Sequence, residues 1–159
     1  ILYKPPSNPG LERALLASRQ RAGGLLIGAT GSGIRKLYAH IKKGGTAGVL
    51  PDQYPSRGQG RFAPFFGQQA LTGVLVPRLV QRTGCQALAT VCERLPGGRY
   101  RVHCLPVDEE IHSPDLDVAL AAVNRAVEDC IAVDPAQYLW SYRRFKKQPE
   151  GAPPFYDFR

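Results

Sequence analysis

Apolar residues in this chain follow two rhythms, and their alternation restricts the fold more than any other feature. Short runs such as Leu25-Leu26-Ile27 and Ala47-Gly48-Val49-Leu50 read as buried strands. Between them lie longer segments with apolar residues at helical spacing. Leu11–Arg21 places Leu11, Leu15 and Leu16 on one face, and Ile34–Lys43 ends in two lysines before Gly44-Gly45. Cations suit a helix C-terminus and Gly stops it. Thr72–Arg82 reads as a third helix, with Pro77 kinking it or marking its start. Gln86–Leu95 and Arg99–Leu105 read as strands joined by a Pro96-Gly97-Gly98 turn. Ser113-Pro114-Asp115 opens the clearest helix, with Leu116, Leu120, Val123, Val127 and Ile131 as its apolar stripe and Asp134-Pro135 as its end. Short strands separated by helices predict an α/β fold: a layered mixed sheet flanked by helices, partly parallel, with an antiparallel hairpin.

The 159 residues fit one domain, assigned to 1–147, with a Pro-rich C-terminal tail at 148–159. The chain contains no Met and reads as a segment of something longer. No apolar run is long enough to cross a membrane. The net charge of +8 favours anionic partners: nucleic acid, lipid head groups, phosphorylated sugars or an acidic protein. The four cysteines (Cys85, Cys92, Cys104, Cys130) form no CxxC pair, and the three His are scattered, so neither a metal site nor a cofactor is indicated.

Five stretches carry possible chemistry. Gly48-Val49-Leu50-Pro51-Asp52-Gln53 delivers a carboxylate and an amide just past a strand end, where ligands of open α/β sheets sit; it also has the composition of a turn. Gly58–Gly67 holds Phe62, Phe65 and Phe66 beside Arg61 in a region read as irregular. So much aromatic area in a loop needs a core, an apolar ligand or a membrane face. Gly28–Gly33 precedes a helix but lacks both the Walker and the Rossmann spacing. Tyr138–Lys147 mixes Trp140, Tyr142 and Phe145 with Arg143, Arg144 and Lys146, which suits single-stranded nucleic acid, a membrane interface or a solvated basic face. His103 with Asp108, and His112 with Asp117, have the five-residue spacing of an acyltransferase base and its orienting acid, a spacing that chance also supplies.

In this order the stretches resemble the C-terminal two-thirds of the lipid A biosynthesis lauroyl- and myristoyl-transferases. The matching pieces are Tyr3-Lys4-Pro5 with Asn8-Pro9, Arg19–Gly23, Leu37–Gly44, the Pro51-Asp52-Gln53 block, Phe62–Gly67, Thr83-Gly84 and Tyr100–His103. They continue through Asn124, Glu128, Pro135-x-Gln137-Tyr138-x-Trp140, Arg143–Lys146 and Pro149. The resemblance implies a glycerolipid acyltransferase-like fold. It also implies transfer of a fatty acyl chain from acyl carrier protein to a hydroxyl of a lipid A precursor, an acylated, phosphorylated glucosamine disaccharide. The reaction would occur at the cytoplasmic face of the bacterial inner membrane.

The family's catalytic His-x4-Asp/Glu and its membrane helix are expected upstream of this region. The two His–acid spacings above fall in the wrong part of the pattern. Many members carry Arg where this chain has Ala29. On this reading Asp52 supports catalysis as a polar anchor. Gln53, Arg61, Phe65, Phe66, Arg143, Arg144 and Lys146 bind substrate or dock it, and the membrane surface is a further partner. The isolated chain lacks its base and is expected to be inactive. The alternatives are a non-enzymatic basic module for nucleic acid or anionic lipid, and a degenerate relative that only binds lipid; on the acyltransferase reading no nucleic-acid partner is expected.

Overall fold

A computed structural model describes residues 1–3, 6, 8–21 and 23–156. Lys4 and Pro5 of the first matching motif, Ala22 of the second and the last three tail residues lie outside the described residues. The chain divides into two compact units, Ile1–Leu50 and Pro51–Arg159.

The first unit contains β1 (Leu2–Tyr3), α1 (Pro9–Gln20), β2 (Ile27–Gly28) and α2 (Gly31–Lys42). β1 and β2 pair in parallel, Leu2 opposite Ile27. α1 starts two residues earlier than its apolar spacing predicts. Asn8 caps it, accepting from the Gly10 and Leu11 N–H groups, and Pro9 occupies the first helical position, where no N–H is needed. α2 likewise starts inside the Gly-rich segment, with Thr30 Oγ1 accepting from Gly33 N at 3.2 Å. Gly33 is required by close packing: a Cβ there would lie 1.9 Å from the Gly28 carbonyl oxygen. Gly33 therefore lets α2 pack closely against β2. Leu37 fills this unit's core at 1% exposure. Ala47–Leu50, expected as a buried strand, pairs with no strand among the described residues, and Leu50 is 64% exposed. Four apolar residues specify burial potential but not a ladder partner.

The second unit is built on α4 (Leu116–Val133). Its elements before that helix are β3 (Gly60–Phe65), β4 (Gln68–Gly73), α3 (Leu75–Thr83), β5 (Leu88–Leu95) and β6 (Arg99–Pro106). Small residues along α4 (Ala119, Ala122 and Ala126) let its neighbours approach closely, while Leu120 and Val123 fill the space between. Leu120 packs with Ala63 and Val74. Val123 and Ala122 pack with Val80 and Ile111, and Ile131 with Phe65 and Ala70. Each large side chain buried this way contributes roughly 1.5–3 kcal/mol.

Three boundaries moved for physical reasons. The cap of α4 is Asp115, whose Oδ1 accepts from Asp117 N at 2.9 Å, while Ser113 turns the chain ahead of it. Pro77 sits in the first turn of α3, where helical N–H groups have no partner to lose. Residues 60–65, expected to be irregular, form β3, because the alternation Ala63, Phe65 suits a half-buried strand.

The chain is thus mixed α/β. Its described ladders form three two-stranded pairs, parallel β1–β2 and antiparallel β3–β4 and β5–β6. The Pro96–Gly98 turn joins β5 and β6 as the sequence suggested. No described helix is long and apolar enough to cross a membrane.

Candidate functional site

The polar centre of the second unit lies between the β3–β4 hairpin, α4 and the segment 138–146. Asn124 falls on the apolar stripe of α4, four residues after Leu120, and is 1% exposed. Its Nδ2 donates to the Pro64 carbonyl at 2.7 Å and to Thr72 Oγ1 at 3.0 Å. Arg144 reaches the same hydroxyl from the other side: Nη2 donates to Thr72 Oγ1 at 3.0 Å and Nη1 to the Leu71 carbonyl at 2.7 Å. Thr72 is thereby the node that ties helix, hairpin and C-terminal segment together.

Arg144 is 3% exposed and has no carboxylate within salt-bridge distance among the described residues. Its Nε is buried without a hydrogen-bond partner, and its guanidinium lies 5.3 Å from the centroid of the Phe65 ring. Burial lowers its pKa. The Tyr138, Tyr142, Asp52 and Tyr156 groups oppose that shift.

Asp52 and Gln53 line a notch of about 100 Å³ with Tyr138, Leu139 and Tyr142. The Tyr142 hydroxyl accepts from Tyr54 N at 2.6 Å and so holds the chain just after Asp52-Gln53. The Tyr138 hydroxyl is buried without a hydrogen-bond partner. Burial and then the Asp52 charge raise its pKa, keeping it a neutral donor. The notch is therefore lined by an acidic and an amide residue, with tyrosine rings beside them.

The structure brings some of the sequence candidates together and separates others. Asp52 and Gln53 share the notch. Lys146 sits 4.7 Å from the centroid of the Tyr54 ring. Arg143 is exposed, and Arg61 pairs with Asp117 at 2.9 Å. Two expectations need correction. Phe65 offers no ring to a ligand, because strand alternation turns it into the core beside Ala70 and Ile131. Arg144 is no surface docking group: the Leu71 carbonyl and the Thr72 hydroxyl take its Nη1 and Nη2 donors inside the protein. Phe66, by contrast, is exposed at the hairpin tip, 6.1 Å from the half-exposed Trp140.

The two His–acid spacings do not form pairs. His103 Nε2 lies 2.8 Å from Glu93 Oε2 across the β5–β6 hairpin, and Asp108 pairs with Arg125. Asp117, the candidate partner of His112, is taken by Arg61. The Gln137-Tyr138-x-Trp140 motif has a positioning role. Gln137 bonds both the N–H and the carbonyl of Arg94 on β5, and Trp140 Nε1 donates to the Pro135 carbonyl.

Thr72 is a site residue that sequence reasoning left without a role; Asn124 and Glu128 entered only as motif matches, and Tyr142 only as a ring of the nucleic-acid alternative. Glu128 Oε1 accepts from Phe66 N at 2.6 Å and secures the hairpin tip. A local signal existed for two of them: Leu120, Asn124 and Glu128 follow one another at four-residue spacing, so two polar residues continue an apolar stripe.

The family model described as bacterial lipid A biosynthesis acyltransferase matches residues 1–147, and the chain belongs to that family. It is 29% identical over 157 residues to the lipid A biosynthesis lauroyltransferase of Escherichia coli (strain K12), covering 98% of this chain and 51% of that relative. It is 30% identical over 156 residues to the lipid A biosynthesis palmitoleoyltransferase of the same organism, covering 97% and 50%. A lipid A biosynthesis acyltransferase of Haemophilus influenzae is 28% identical over 155 residues, covering 94% and 46%. The chain spans about half the length of the curated relatives it matches.

The alternative of a basic nucleic-acid module gains no support from these relatives. Two of its proposed stacking rings are also engaged with protein: Phe145 stacks on Phe155 at 4.5 Å, and the Tyr142 hydroxyl holds the Tyr54 N–H.

Proposed function

We propose that the protein transfers a fatty acyl chain from acyl carrier protein to a hydroxyl of a lipid A precursor at the cytoplasmic face of the bacterial inner membrane. The observation that carries this reading is the family match across residues 1–147. In the reaction the acceptor oxygen attacks the thioester carbonyl. Its proton passes to a His-x4-Asp/Glu base outside these residues, and the C–S bond breaks as the leaving thiolate is reprotonated. The present residues supply positioning. Asp52 anchors a hydroxyl or amide of the acceptor in the notch, with Gln53 beside it. Arg61, Arg143 and Lys146 face anionic groups, and Phe66 with Trp140 meets the acyl chain or the membrane surface. Arg144 acts from inside, holding the hairpin through Leu71 and Thr72.

The layered acyltransferase-like sheet belongs to the same proposal. The outer face of β5–β6 carries the exposed Leu88, Tyr100 and Val102, a surface suited to cover by further elements.

The test is Asp52→Asn in the full-length protein, assayed with acyl carrier protein thioester and the lipid precursor. Turnover should fall by about tenfold or more, the scale of a lost positioning contact in an acyl-transfer site. Unchanged turnover with unchanged KM removes Asp52 from the site.

A further inference from the structure

A second concavity opens beside Tyr54. It measures about 830 Å³, within the size range of small-ligand sites, and is walled by Tyr54, Phe62 and Leu71. Phe62 and Leu71 are direct cross-strand partners of β3 and β4, so the apolar wall is set by the hairpin register. Arg57, Arg61 and Lys147 line the same cleft, against a single acid, Asp117. Arg57 and Lys147 have no ion-pair partner among the described residues. Arg61 and Asp117 are each more than half exposed, so their pair is weakly held and open to exchange.

We infer that this cleft binds a phosphate monoester of the acceptor glycolipid, with Arg57 and Lys147 as standing contacts and Arg61 exchanging Asp117 for the phosphate. A carboxylate ligand would only match the charge that Asp117 already offers Arg61. A phosphate monoester, close to a dianion at neutral pH, exceeds it and presents oxygens to the guanidinium forks. The apolar wall fits a ligand whose phosphate is joined to an acylated body. The inference rests on the acyltransferase reading for the identity of the acceptor, but not for the recognition of phosphate.

The experiment measures binding of the full-length protein to neutral phosphatidylcholine vesicles. The vesicles are doped with an acylated glucosamine disaccharide bisphosphate, with the same disaccharide after dephosphorylation, or with phosphatidic acid. Arg57→Gln combined with Lys147→Gln should weaken binding to the phosphorylated disaccharide by about tenfold and leave the dephosphorylated one unaffected. Asp117→Asn should tighten binding, because it frees Arg61; misfolding cannot produce that gain. Equal binding of the two disaccharides, or no response to either variant, overturns the inference. Equal binding of phosphatidic acid overturns the glycolipid assignment. Loss of affinity for acyl carrier protein alone overturns it in favour of a protein-docking face. Phosphate-dependent binding without acyl transfer by the wild-type protein would sink the acyltransferase reading while the cleft assignment stands.

Discussion

Thr72 is the residue whose replacement most directly tests the polar centre. Its side chain is fully buried, and its hydroxyl accepts from both Arg144 Nη2 and Asn124 Nδ2 at 3.0 Å. Thr72→Val keeps the shape and the β-branch but removes the oxygen. The bond to the charged guanidinium is worth about 1.5–3 kcal/mol and the amide bond about 1 kcal/mol. The extra buried methyl returns about 0.8 kcal/mol. The net cost is therefore about 2–3 kcal/mol, a large share of a domain stability of roughly 5–15 kcal/mol. Thr72→Ser keeps the oxygen and loses only a methyl group, at about 1 kcal/mol.

Urea unfolding of the full-length protein, followed by circular dichroism, should show both midpoints lowered with unchanged slope. Val should be the worse of the two, although it is the better volume match. Arg144→Met added to Thr72→Val should cost less than the sum of the two single changes, because it removes the stranded cation. If Ser proves as damaging as Val, the centre is held by packing, and the network account of Thr72 is wrong.

Other outcomes follow from local geometry. The hairpin tip places Phe66 at φ 47° and Gly67 at φ 72°, the positive pair a two-residue turn requires. Gly67→Ala should lower stability by about 1 kcal/mol, read as a thermal shift. Leu37→Ala should cost about 2–5 kcal/mol, and native-state hydrogen exchange should locate the loss within Ile1–Leu50. Burial raises the Cys130 thiol pKa, with Asp129 adding to the shift, whereas Cys92 and Cys104 are exposed. Alkylation at mildly alkaline pH, read by peptide mass spectrometry, should therefore modify Cys92 and Cys104 well before Cys130. Equal rates would contradict that burial.

Elements whose stop signals are local were legible in the sequence. The Asp134-Pro135 end of α4 and the Pro96–Gly98 turn depend on a few neighbouring residues, and the structure keeps both. Short strands were less legible. Residues 60–65 became β3 because Gln68–Gly73 returns to pair with them, and Ala47–Leu50 found no partner among the described residues. A strand is completed by hydrogen bonds to another segment, which the run itself does not encode.

The site divides along the same line. Pro51-Asp52-Gln53, the basic excess and the family motifs stand in the chain as written, and they identify the family and one carboxylate of interest. Arg143 and Arg144 are adjacent and chemically identical, yet one is exposed and the other buried beneath Phe65 and Thr72. Phe65 and Phe66 divide in the same way, one in the core and one at the tip. Their fates depend on side-chain direction along strand β3 and on how segment 138–146 crosses the hairpin, and both are set by long-range packing. The sequence determined which groups were available. Only the tertiary structure decided which of them meet water, which meet each other, and that a single threonine hydroxyl joins α4 to a buried arginine.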